Sequence, residues 1–155
     1  MNPTWMRKAI ELSLEGMRTD RGGPFGAVIV RHQQLVSVGQ NQVASQHDPT
    51  AHAEIQAIRA ACQALQTFQL TDCELYTSCE PCPMCLGAIY WARPQKVYYA
   101  ATRQDAAAIG FDDAFIYAEL HLALEQRHIP YIPLLREEAL VAFQAWGDKT
   151  NKVRY

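Results

Sequence analysis

Two short motifs constrain this chain more than anything else in it. His52-Ala53-Glu54 is followed, thirty residues on, by Pro81-Cys82-Pro83-Met84-Cys85. Cys82 and Cys85 stand three apart, so on one helical turn their sulfurs share a face. The positive end of a helix favours the thiolate form that a metal requires. A neutral histidine with two thiolates makes a three-ligand set suited to Zn²⁺, and three protein ligands leave a fourth position for water. Such an open site is catalytic rather than structural. Glu54 is two residues from His52, and on an ideal helix such positions point about 200° apart. Both can serve one cavity only in a first turn, where side chains lean beyond the helix end. The fold must therefore start two helices at the same cavity, one carrying His52 and one the cysteine pair. Glu54, free of the metal, could then move protons between water and a substrate. A structural zinc site would need a fourth ligand, for which Cys79 or His47 could be nominated. It gives no role to Glu54 or the prolines, and a redox Cys-x-x-Cys does not call for a His-x-Glu.

The rest of the chain reads as alternating helices and strands. Apolar residues at 5, 6, 9, 10, 14 and 17 have helical spacing. Arg21-Gly22-Gly23-Pro24 breaks that pattern, and residues 26–30 and 35–38 form a hairpin about Gln33-Gln34. Asp48-Pro49-Thr50 supplies a helix start, with Ile55, Ile58, Cys62 and Leu65 along one apolar face. Cys73, Leu75 and Thr77 alternate with Glu74 and Tyr76 as a third strand. A helix opens at Pro81-Cys82-Pro83 and ends before Pro94, with residues 97–100 as a fourth strand. Residues 114–124 read as a helix, 129–135 as a fifth strand despite two prolines, and 137–146 as a last helix. This order predicts an α/β fold with a partly parallel sheet covered by helices.

The chain has 155 residues and a formal net charge of −2, with 49% apolar and 19% charged residues. That length supports one hydrophobic core, so residues 1–155 are expected to form a single domain. The charge balance excludes a dedicated electrostatic nucleic-acid binder; Lys149, Lys152 and Arg154 are the only modest basic cluster. No apolar run reaches the ~18 residues of a membrane span, and residues 1–5 lack a secretion-signal pattern. A cytoplasmic location is expected. The five cysteines are then free thiols. Cys82 and Cys85 read as ligands and Cys62 and Cys73 as small core residues, while Cys79 is open between packing beside the metal and ligation.

His-x-Glu with Pro-Cys-x-x-Cys is the signature of zinc-dependent nucleobase deaminases. From first helix to last, the chain resembles the cytidine deaminase superfamily. Within it, the chain is most similar to the bacterial guanine deaminase subgroup. The resemblance is carried by residues 22–30, 48–54 and 75–94, and more specifically by Gly110-Phe111-Asp112-Asp113, Phe143-Gln144-Ala145-Trp146 and Tyr155. It implies a three-layer α/β/α sandwich with a mixed five-stranded sheet. It also implies a homodimer whose C-terminal segment completes the partner's active site.

By the same resemblance, His52, Cys82 and Cys85 hold one Zn²⁺ per chain, and Glu54 is the proton shuttle. Phe25, Asn41, Ala53, Trp91, Asp113 and Tyr155 match positions lining the base pocket. The implied reaction is hydrolysis of guanine to xanthine and ammonia, with Asp113 assisting departure of the amine. Several of these residues have plainer readings. Asp113 or Asp112 could cap the following helix, Asn41 could be a turn residue, and Phe25 and Trp91 could belong to the core. Tyr155 could be a frayed terminus. The competing functions are tRNA adenosine deamination, cytosine deamination, and a non-catalytic zinc-stabilised interaction module.

Overall fold

The structure, a computed structural model, describes residues 2–154. These fall into two compact units, residues 1–113 and 114–155. The first begins with helix α1 (Pro3–Arg18), whose Asn2 cap accepts the Thr4 amide at 3.1 Å. Pro3 opens the helix where its missing N–H costs nothing. Strands β1 (Gly26–Arg31) and β2 (Gln34–Gln40) form the expected antiparallel hairpin. Its turn residues His32 and Gln33 both have positive φ, the twist a two-residue hairpin requires. A short helix α2 (Val43–Gln46), not foreseen from the sequence, precedes α3 (Ala53–Leu65). Strand β3 (Cys73–Cys79), helix α4 (Pro83–Ala92) and strand β4 (Lys96–Ala101) follow, then a second unforeseen short helix, α5 (Arg103–Ala107).

The sheet order is β2-β1-β3-β4, antiparallel except for the β3/β4 pair. Period-two alternation gives each face its own helix. Ala27 and Ile29 of β1 and Cys73 and Leu75 of β3 pack against α3 and α4 through Ala53, Ala57, Ile58, Ala61 and Ile89. Val28, Val30 and Tyr76 face the other way, onto Leu12 of α1, with Trp5, Met6 and Tyr98 closing the cluster. This is the expected α/β/α sandwich, with Cys73 in the core and Cys62 packed against it.

The sheet has four strands among the described residues, not five. Residues 129–135 are irregular. Pro130 and Pro133 have no N–H to donate to a ladder, which outweighs the local apolar pattern. In the second unit, α6 (Ala114–Leu120) is shorter than expected and gives way to a 3-10 turn at Leu124–Gln126. Helix α7 (Arg136–Asp148) brackets the expected 137–146. No helix among the described residues is long and apolar enough to cross a membrane.

One glycine sets the position of the helix that matters most. A Cβ on Gly39 would strike the Ala53 carbonyl and come within 2.6 Å of the Ala57 amide. The first turn of α3 thus lies directly on β2, and only glycine permits it. Replacing Gly39 with Ala should push α3 outward and cost about 1–3 kcal/mol, the range for overpacking, measured as a lower urea midpoint.

Candidate active site

The loop before α3 explains how His52 and Glu54 reach one cavity. The Asp48 carboxylate accepts both the Thr50 amide at 2.8 Å and the Thr50 hydroxyl at 2.7 Å. This closed turn delays the helix beyond the expected start at 48–50, and α3 begins at Ala53. His52 is the capping residue, in extended conformation at φ −71° and ψ 155°, and its side chain makes no cap bond. It stands outside the helix, so the 200° separation from Glu54 never arises.

Cys82 repeats the device. It caps α4 with φ −67° and ψ 169° and likewise makes no side-chain cap bond. Pro83 opens the helix and Cys85 lies in its first turn. The pair therefore straddles the helix start rather than sharing a turn within it.

These elements bring His52, Cys82 and Cys85 together, their ligand atoms all within 4.8 Å of one another. His52 Nδ1 lies 3.5 Å from the Cys82 sulfur and 3.5 Å from the Cys85 sulfur. A tetrahedral zinc with ordinary Zn–S and Zn–N bonds sets its N···S edges at about 3.6 Å. The donor set and its spacing fit that ion. The group among the described residues contains neither Cys79 nor His47. Cys79 is buried at the end of β3 and donates its S–H to the Thr102 carbonyl at 3.6 Å.

The cluster's electrostatics favour a thiolate. Donation from the Cys85 thiol, then from His52 and the Cys85 amide, overcomes burial and holds Cys82 down at about 4. The same contact with Cys82, reinforced by burial, pushes the Cys85 thiol up. His52 is raised, first by its bond to Cys82.

Glu54, in the first turn of α3, is only 6% exposed. Its Oε1 accepts the Thr77 hydroxyl at 3.2 Å, and Oε2 lies 3.5 Å from the Cys85 sulfur. Burial above all raises its carboxyl above the usual range. Such a group holds a proton more readily than an exposed glutamate does.

The expected pocket residues fall into distinct settings. Asn41, at the end of β2, is buried, and its Oδ1 accepts the Gly23 and Val43 amides, each at 3.2 Å. Its acceptor is thereby committed to the loop, so it can offer a ligand only Nδ2. Phe25 packs on the core cluster and meets Phe111 edge-on, with ring centres 4.9 Å apart. The Ala53 side chain is fully buried in that cluster. Trp91 is 64% exposed, and Asp112 is exposed. Asp113 is half-buried; burial raises its carboxyl first, and the Cys82 charge raises it further. Tyr155 lies outside the described residues.

Two contributors escaped the sequence reading. Thr77 shares the parity of Cys73 and Leu75, which marked its face but not its partner. Glu80 accepts the Arg103 amide at 3.1 Å and so fastens the loop before Cys82 to the start of α5. That bond is long-range, and no local pattern announces it.

Residues 2–101 match the family described as the cytidine and deoxycytidylate deaminase zinc-binding region. The chain is 55% identical to the guanine deaminase of Bacillus subtilis over 98% of its own length and 97% of that protein's. The crystal structure of guanine deaminase from B. subtilis superposes with a TM-score of 0.97 at 54% identity, covering 100% of this chain and 99% of that one. A tRNA-specific adenosine deaminase of Aquifex aeolicus is 46% identical over 50% of this chain and 52% of its own length.

Zinc should displace protons when it binds. Because Cys85 and His52 are both raised in the metal-free cluster, acidification favours the protonated ligands and should strip the metal. Titrating zinc into metal-free protein in weak buffer should release at least one proton per ion. Release of none would remove Cys85 from the ligand set. Cys82→Ala should leave the dialysed protein with well under one zinc per chain.

Proposed function

The chain belongs to the cytidine and deoxycytidylate deaminase zinc-binding family, and on that premise we propose that it hydrolyses guanine to xanthine and ammonia. The observation that carries this reading is the similarity to a guanine deaminase at 55% identity over 98% of the chain, against 46% over 50% and 32% over 81% for two tRNA-specific adenosine deaminases. A net charge of −2 also supports a small neutral base over a polyanion.

His52, Cys82 and Cys85 would hold the zinc, which when bound supplies Lewis acidity that brings the pKa of a coordinated water to about 7. Glu54 accepts the proton that water loses as it attacks C2 of guanine, and passes it to the adjacent ring nitrogen. Asp113 protonates the exocyclic amine, which leaves as ammonia, and the C2 hydroxyl proton, released as the carbonyl forms, restores the Asp113 carboxyl; the sum is guanine plus water giving xanthine plus ammonia. Asp113 suits that task because its carboxyl is raised and holds its proton more readily than an ordinary aspartate.

Recognition in this proposal divides among five positions. Asn41 donates Nδ2 to an acceptor on the purine edge, and Phe25, braced by Phe111, walls the ring. Ala53, its methyl buried, contributes through a first-turn amide that has no helical partner. Trp91 and Tyr155 close the pocket.

The second unit supports a homodimer. None of the residues of α6 or α7 is buried, while Phe143, Ile132 and Leu134 are 73%, 82% and 81% exposed. A segment of roughly 40 residues rarely folds without outside support, and this much apolar surface is a docking face. We assign its partner as a second copy, the C-terminal segment completing the neighbour's site, in one domain spanning residues 1–155. Free thiols at all five cysteines suit a cytoplasmic enzyme.

A panel of guanine, adenine, cytosine and their nucleosides, followed by ammonia release, tests the substrate. Guanine should be consumed and xanthine formed; rapid turnover of another base with guanine intact would overturn the assignment. Glu54→Ala should abolish turnover while zinc stays near one per chain, whereas a non-catalytic zinc module predicts no change in any activity.

Exchange is tested by mixing. Chains lacking residues 153–155 and chains carrying Glu54→Ala should each be inactive. Co-refolded, they should recover part of the wild-type rate, because some mixed dimers pair an intact tail with an intact Glu54. Full activity of the truncated chain alone would remove Tyr155 from the pocket.

A further inference from the structure

One buried hydroxyl beside the site has no role in the chemistry described so far. Thr77 lies near the C-terminal end of β3 at 1% exposure, paired in register with Ala27 of β1. Two and four residues earlier on the same strand face, Leu75 and Cys73 are core residues. Valine would suit that position by shape and by strand preference, since both residues are β-branched. What threonine adds is a hydroxyl, and that hydroxyl reaches Glu54 Oε1 at 3.2 Å.

We propose that Thr77 is a positioning residue for Glu54, holding Oε1 so that Oε2 alone does the proton transfer. A carboxylate has two equivalent oxygens until a neighbour distinguishes them. The Thr77 O–H donates to Oε1, so a proton arriving at Glu54 is directed to Oε2. Oε2 is the oxygen on the ligand side, 3.5 Å from the Cys85 sulfur. One oxygen thus takes the proton from the attacking water and delivers it to the ring nitrogen, and the carboxylate need not turn between the two transfers. Atoms and charge balance as in the overall hydrolysis; Thr77 neither gains nor loses a proton. Its χ1 is restricted by β-branching, so the donor arrives already aimed.

This inference rests on the proposed deamination, and its test separates the two. The zinc-loaded wild type and the Thr77→Val, Thr77→Ala and Thr77→Ser variants are assayed on guanine or, if guanine is not turned over, on whichever base of the panel is. An inactive wild type on guanine counts against the substrate reading alone. Against positioning count the ratios among variants. Loss of the hydroxyl should lower kcat by about 10–100-fold, a fraction of a general acid–base contribution. KM should stay within about threefold and zinc near one per chain, and Thr77→Ser should stay within about threefold of wild type. If Thr77→Val does not fold, the Ser-to-Ala ratio decides. A crystal structure of the metal-free Thr77→Val or Thr77→Ala protein should show the Glu54 carboxylate rotated, with Thr77→Ser keeping the wild-type orientation. A kcat unchanged without the hydroxyl, a loss confined to KM, a serine that fails to rescue, or a carboxylate that stays put would each overturn the proposal.

Discussion

Two helices start at the same place, and neither uses its capping side chain to cap. An N-cap residue ordinarily returns a side-chain oxygen to the first-turn amides, which is why Ser, Thr, Asp and Asn prevail there. Two other helices of this chain follow that rule: Asn2 caps α1, and Thr102 and Asp105 form a reciprocal capping box on α5. At α3 and α4 the capping residues are His52 and Cys82, with no side-chain cap bond. Their extended backbones throw the side chains forward into the cavity. The uncapped amides and the positive helix end remain to stabilise a thiolate. The order of the sheet, the closed turn at Asp48, the glycine at 39 and the proline at 83 all contribute to putting those two starts face to face.

Burial of Glu54 is the second constraint, and it runs against stability. A carboxylate at 6% exposure loses most of its hydration, and two donors replace it only in part. A sequence selected for folding alone would put an apolar residue in the first turn of α3, between Ala53 and Ile55. The conflict between good packing and a buried acid falls on the residue to which we assign the proton transfer. Local rules of consistency tend to be broken where function requires it.

Much of this was legible because it is local. Cys73, Leu75 and Thr77 alternate on β3 as their parity demands, and of the 55-58-62-65 stripe Ile58 lies in the core under the sheet with Cys62 and Leu65 packed against it. The motif alone picked out the three residues whose ligand atoms the fold brings together. What was not legible depends on competition between local signals or on distant partners. Asp48 and Thr50 read as a helix start, yet the same side chains close a turn that holds the helix off to residue 53. The run 129–135 has strand-like apolarity, but two missing N–H groups defeat it. Asn41 can donate and accept in isolation, and only the fold shows its oxygen already taken by two backbone amides.

The span shared by the whole family and the span shared with a guanine deaminase differ in length. His52, Glu54, Cys82 and Cys85 all lie within residues 2–101, the span matched by the family as a whole. That span is common ground for relatives acting on different molecules, so it specifies hydrolytic deamination without specifying a base. Discrimination must come from groups around it. Phe111 and Asp113 stand beyond residue 101, and Phe111 reaches back to brace Phe25. The exposed apolar surface of 114–155 stands further on still, in a stretch that extends the match to a guanine deaminase over nearly the whole chain. The start of α5 is fastened to the loop before Cys82 by more than one polar link: Glu80 accepts the Arg103 amide, and Cys79 donates to the Thr102 carbonyl. The cluster of His52, Cys82 and Cys85 thus belongs to the span shared by the family, and the residues after 101 are where this chain goes on to match a guanine deaminase beyond it.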